Sequence, residues 1–95
     1  MEPIIITAIL KSKESFEEQL LSELKKVQMA SREEVGCIKY DVHQSIEDHT
    51  FVLYEVWKDN EAIDSHIQSK HYQEYRENIT EMVSTRVVYK LKTIQ

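Results

Sequence analysis

Glycine is almost missing from this chain of 95 residues: Gly36 is the only one, and Pro3 is the only proline. Glycine-rich phosphate loops and G-x-S-x-G nucleophile elbows are thereby excluded, and long flexible linkers with them. The elements must be joined tightly, as one small domain over residues 1–95. Cysteine is as scarce. A lone thiol, Cys37, cannot close an internal disulfide, which predicts a reducing, cytoplasmic setting. Cys37 reads as a small buried apolar residue, since a nucleophile would need a base and electropositive surroundings. Basic charge is in deficit: 12 Lys and Arg against 17 Asp and Glu give a net charge of −5. That balance argues against nucleic acid and against an anionic membrane surface as partners. No apolar run reaches the roughly 18 residues of a membrane span. MEPIIITAIL has neither the basic n-region nor the cleavage site of a signal peptide.

What is present is strong periodicity. PIIITAIL (Pro3–Leu10) is a short β-branched run and predicts a strand buried on both faces. Ser12 is placed to cap a following helix, in which Phe16, Leu20, Leu21, Leu24, Val27 and Gln28 trace one stripe. Gly36 supplies the turn after it. CIKYDVHQ (Cys37–Gln44) alternates, with Ile38, Tyr40 and Val42 on one face and Lys39, Asp41 and His43 on the other. SIEDHT suits a hairpin connection. FVLYEVW (Phe51–Trp57) is then a strand apolar on both faces, broken only by Glu55. Asp59 caps a short helix, NEAIDSHIQ. Ser69 caps a longer one, where Tyr72, Tyr75, Ile79, Met82 and Val83 share a face. TRVVYKLKTI (Thr85–Ile94) predicts the last strand.

The order β-α-β-β-α-α-β is a split βαβ pattern. It predicts an α+β, ferredoxin-like domain: a four-stranded antiparallel sheet with helices on one face. The uncovered face is apolar in the first and third strands. A second copy of the chain is its simplest cover, and two sheets packed face to face give a dimeric α/β barrel.

Titratable and aromatic chemistry collects between Tyr54 and Tyr75, which hold the only Trp, two of the four His and three of the five Tyr. Glu55 and Trp57 are two apart on a strand and share a face with Phe51 and Leu53. A carboxylate among such neighbours must find a partner or bind a proton. His66 lies four residues after Ala62 and three after Ile63, on the inward face of its helix. Tyr72 and Arg76 are four apart on the next helix. Packing alternatives stand beside each reading: His66 as a core residue with one satisfied hydrogen bond, the Tyr row as core, Glu55 as partner of an Arg across a dimer, His71 as solvent-facing. His66 and His71 are five apart across a helix break, with no helical H-x-x-x-H pair, so no metal is assigned.

EEVGCIKYDV followed by FVLYEVWKDNEAIDSHIQSKHYQEY resembles the antibiotic biosynthesis monooxygenase domain. That family pairs an E-x-G-C turn with E-x-W, then A-x-x-x-H, then a second His and an aromatic. Here these are Glu34, Gly36 and Cys37, then Glu55 and Trp57, then Ala62 and His66, then His71 and Tyr72. The resemblance implies a dimeric α+β barrel. It spans cofactor-free monooxygenases of polyketides or quinols, haem degraders, and an isomerase of a phosphorylated autoinducer-2 signal. Strand one has no Asn, and the haem degraders' helical Trp and His positions fall on His66 and Arg76, which argues against haem. The polyketide branch keeps only Trp57: its Asn position is Leu53 and its Tyr position Ile63. E-x-W with paired His is most similar to the small bacterial quinol-oxidising members, and the isomerase is almost as similar.

The resemblance thus implies a cofactor-independent monooxygenase taking dioxygen and a small electron-rich aromatic such as a quinol, with no metal and no flavin. His66 is the expected base, with Glu55 orienting it or a cross-dimer Arg. Trp57 is the expected stacking wall, Tyr72 and Arg76 the donors, and Leu53 and His71 further substrate contacts. The alternatives are an isomerase of a small phosphorylated carbonyl, with Arg76, Arg86 and Lys70 as phosphate-binding candidates, and a non-catalytic dimer that binds small ligands.

Overall fold

A computed structural model describes residues 2–95. Seven elements follow in the order β1 (Ile4–Ser12), α1 (Glu17–Arg32), β2 (Cys37–Gln44), β3 (Thr50–Trp57), α2 (Asn60–Gln68), α3 (Lys70–Ile79) and β4 (Val83–Leu91). The four strands form one antiparallel sheet in the order β2-β3-β1-β4, the ferredoxin-like arrangement. No helix among the described residues is long and apolar enough to cross a membrane.

The two faces of the sheet differ because side chains alternate along each strand. Along β3, Phe51, Leu53, Glu55 and Trp57 are all buried. Ala8 pairs with Leu53 and Leu10 with Phe51, so they share this inner face. The helices cover it. On α1, Leu20, Leu24, Val27 and Ser31 recur at helical spacing and are buried. Each fully buried Leu stabilises the fold by roughly 1.5–3 kcal/mol. Gln28, on the flank of that stripe, accepts a hydrogen bond from Val42 N at 2.8 Å and ties α1 to β2.

Four expectations need correction. Ser12 does not cap α1. It ends β1, its N–H donating to His49 O at 3.0 Å. The chain then turns through Ser15 in the left-handed region (φ 74°), and α1 starts with no side-chain cap, Glu17 and Glu18 facing its N-terminal dipole instead. Ile38 does not share the face of Tyr40. The register shifts between Cys37 and Lys39, and the bulge leaves Ile38 exposed. The last strand starts and stops earlier than its sequence suggests, at Val83 and Leu91, and α3 ends at Ile79, so Met82 and Val83 lie beyond the helix whose face they were expected to share.

Gly36 is needed for close approach. A Cβ there would lie 2.3 Å from Ala62 Cβ, so the turn before β2 and the first turn of α2 touch without a side chain between them. The Gly36 carbonyl accepts from Lys58 N at 2.9 Å just before α2. Asp59 then caps α2 by accepting from Ala62 N at 2.9 Å, and Ser69 caps α3 through Tyr72 N at 3.2 Å, both as expected.

Candidate active site

A cavity lies between the inner face of the sheet and the pair α2–α3. It encloses about 70 Å³, within about 450 Å³ of atom-free space counting its open mouth. Ile6, Ala8 and Leu53 form its floor, Trp57 and Tyr40 one wall, and Ile63 and Tyr75 part of the roof. β4 is one of the two edge strands, and its Arg86 and Val88 also line the cavity.

His66 hangs from α2 into this space and is buried. Its ring is 4.4 Å from that of Trp57 and 4.8 Å from that of Tyr72, centroid to centroid. Nδ1 lies 2.7 Å from Glu34 Oε2. An ionised carboxylate can only accept, so Nδ1 carries the hydrogen and Nε2 keeps its lone pair when the ring is neutral. Nε2 has no protein partner among the described residues. Burial pulls the His66 pKa below its ordinary value, against the opposing hydrogen bond and charge of Glu34. The neutral ring, the form that can take a proton, is therefore favoured at neutral pH.

Glu55 does not orient His66. Trp57 Nε1 donates to Glu55 Oε1 at 2.9 Å, and this pair fixes the indole against the cavity. Burial raises the Glu55 pKa from 4.5 to about 7, with the Trp57 hydrogen bond and the charge of Arg86 opposing. Near neutral pH this carboxyl is therefore poised between donor and acceptor.

Arg76 does not line the cavity; it projects to the neighbouring cleft between α3 and β4. Arg86 lines it, the single cation among the described residues to do so. Both guanidiniums reach the Tyr72 hydroxyl, Arg76 Nη1 at 3.1 Å and Arg86 Nη2 at 3.3 Å. A phenol oxygen accepting twice keeps its own O–H free to donate. Arg86 Nε is buried and lacks a partner. The Tyr72 O–H is thus a free donor beside the cavity, with the unpaired Arg86 Nε buried behind it.

His71 also departs from expectation. It lines no part of the cavity. The break at Ser69 turns the chain so that His71 Nε2 meets Glu34 Oε2 at 2.7 Å, the same oxygen that holds His66. The helix break that argued against a shared His pair is what brings the two rings together, 6.0 Å apart. Glu34, His66 and His71 each offer a ligand atom, all within 4.8 Å of one another. Cys37 is half-buried, its thiol pushed up to about 11 by burial and by the charges of Glu34 and Glu55, which disfavours a nucleophile.

The sequence model of the antibiotic biosynthesis monooxygenase family matches residues 3–78. The chain belongs to that family. It is 34% identical over 82 residues to "Putative monooxygenase YcnE" of Bacillus subtilis, covering 85% of this chain and 86% of that one. It is 28% identical over 94 residues to "Uncharacterized protein sll1783" of Synechocystis; 98% of this chain is covered, but it spans only 64% of that relative's length. Its fold superposes on the crystal structure of PA3566 from Pseudomonas aeruginosa with a TM-score of 0.95 at 26% identity, covering 100% and 97% of the two chains.

In this monooxygenase-family chain, the expected Leu53, Glu55, Trp57, His66 and Tyr72 meet around one cavity, whereas Arg76 and His71 stand outside it. Tyr40, Tyr75 and Arg86 complete the lining, and Glu34 works from behind His66. Glu34 appears in the E-x-G-C motif, yet it sits in an irregular turn where no periodicity tells where its side chain goes. Arg86 was expected only as a phosphate-binding candidate of the isomerase alternative; its pairing with Leu10 across β1 and β4 is what places it on the cavity.

Proposed function

We propose that this cavity carries out cofactor-independent monooxygenation of a small electron-rich aromatic, a quinol-type ring, with His66 as the base. The observation that carries this reading is the Glu34–His66 pair, which leaves Nε2 as a free acceptor beside Trp57. Trp57 stacks the ring. Nε2 removes a phenolic proton, and the Tyr72 hydroxyl and Arg86 hold the resulting oxyanion. The electron-rich anion passes one electron to dioxygen. The two radicals then combine into a C–O bond, giving a hydroperoxide at a ring carbon that still bears hydrogen. Loss of water breaks the O–O bond and leaves a carbonyl there. One oxygen atom enters the product and the other leaves as water; all four electrons come from the substrate. Glu55, half-protonated near neutrality, is suited to supply the proton that the departing oxygen needs.

A phosphorylated carbonyl suits the site less well. It would bring two negative charges, and the cavity wall offers Arg86 alone; Lys70 is almost fully exposed and pairs with Glu74. The reading is supported at the level of reaction class by relatives named as monooxygenases. A homodimer, with the sheet's uncovered face buried, belongs to the same proposal.

Chelator-treated protein is expected to oxidise a single-ring quinol with uptake of one dioxygen per turnover. His66→Ala should lower that turnover by roughly 10²–10⁴-fold while the chain stays folded. Undiminished turnover per folded His66→Ala molecule, with only a lowered melting temperature, would return His66 to a packing role.

A further inference from the structure

Glu34 is a mostly buried carboxylate with an unusual set of partners. Its side chain is 16% exposed, and Oε2 contacts two imidazoles at 2.7 Å each. Neutral rings suffice to make both hydrogen bonds. Among the described residues no lysine or arginine forms an ion pair with it. A buried negative charge without a cation is costly, and here it lies beside two nitrogens able to donate electron pairs.

We propose that Glu34, His66 and His71 form a site for one divalent transition cation of the zinc class per chain. Two imidazole nitrogens and one carboxylate oxygen are a ligand set that such a cation accepts, leaving a further position open. The ligand atoms all fall within 4.8 Å of one another. Tetrahedral zinc with bonds of about 2.0–2.2 Å holds its ligands about 3.4 Å apart, so the present 2.7 Å contacts must open by about 0.7 Å. A rotation of the Glu34 side chain, which sits in a turn rather than a helix, can supply that. His66 is fixed near the end of α2 and His71 in the first turn of α3, so two of the three ligands are placed by rigid elements. His71 is 29% exposed and gives the cation its way in.

Occupancy has a chemical consequence for the cavity. A neutral imidazole has one N–H. Ligation through Nδ1 requires that proton to sit on Nε2, the nitrogen available to the cavity. The acceptor becomes a donor, and a base at His66 is switched off. This consequence, unlike the binding itself, rests on the proposed role of His66.

The test is calorimetric titration of chelator-stripped, full-length protein with zinc chloride. One equivalent per chain is expected, with Kd of roughly 10 µM or tighter. His71→Ala and Glu34→Gln should each weaken it at least about tenfold. Cobalt should bind with visible absorption but no thiolate charge-transfer band. Cys37→Ser and His49→Ala, which remove the lone thiol and the surface His49–Glu17 pair, should leave binding intact. No saturable binding below millimolar zinc would overturn the proposal. So would full affinity in His71→Ala, or loss of affinity in Cys37→Ser or His49→Ala. Circular dichroism checks each variant. If Glu34→Gln does not fold, His71→Ala decides, because that side chain is partly exposed and lines no part of the cavity.

Discussion

Glu55 makes folding depend on pH in a direction opposite to that of an ordinary paired carboxylate. Its pKa is raised in the folded chain, to about 7 from 4.5. The folded state therefore binds the proton more tightly than the unfolded state. The stability it contributes is fully present below the unfolded value and is lost as pH rises through the folded one. Glu55→Gln keeps an acceptor for Trp57 Nε1 and removes the ionisation. Urea unfolding at intervals from pH 5 to 8 should show the parent losing stability relative to Glu55→Gln, by up to about 3 kcal/mol. Parallel curves for the two proteins would show that Glu55 does not titrate in this window. The need for this carboxylate to find a partner or a proton was legible in FVLYEVW, because strand alternation buries Glu55 with Leu53 and Trp57. Its partner was not legible. Two residues apart on one face, Glu55 and Trp57 satisfy each other, which alternation permits and does not require.

At the scale of elements, α2 is the piece that positions His66, and its place depends on the Gly36–Ala62 contact. Gly36→Ala puts a methyl group where only 2.3 Å separates it from Ala62 Cβ, so α2 must move. A loss of about 1–3 kcal/mol is expected by thermal unfolding. Adding Ala62→Gly should restore most of it beyond the helix-propensity cost of glycine, about 1 kcal/mol. Additive losses in the double variant would place the damage elsewhere. Strands and helices were legible from periodicity, as were the caps at Asp59 and Ser69, since a cap is a local hydrogen bond. The bulge at Ile38 and the uncapped start of α1 were not. Each reflects the pairing of β2 or β1 with partners distant in sequence, which local pattern does not encode. The role of Gly36 was half legible: a turn was expected, and the reason for glycine proved to be the helix packed against it.

Over the whole molecule, the outer face of the sheet is left uncovered by the three helices. Thr7 pairs with Tyr54 and Tyr89, and Ile9 with Val52 and Val87, so these side chains line up across β3, β1 and β4. Val87, Tyr89 and Leu91 are each more than two-fifths exposed. A contiguous apolar face of this kind is unusual on a monomer. Sedimentation at micromolar concentration should give about twice the chain mass of 11.3 kDa. Tyr89→Asp should shift the protein to the single-chain mass. A parent that sediments as one chain would remove the barrel.

β4 joins this face to the chemistry. Arg86 and Val88 project into the cavity, while Val87 and Tyr89, their neighbours in sequence, project from the opposite side of the same edge strand. Anything that presses on the outer side also steadies the strand that carries Arg86. For a dimer this makes specific activity a function of dilution. Below the dissociation constant the edge strand loses its backing, and turnover per chain would fall although each chain keeps every residue of its own site.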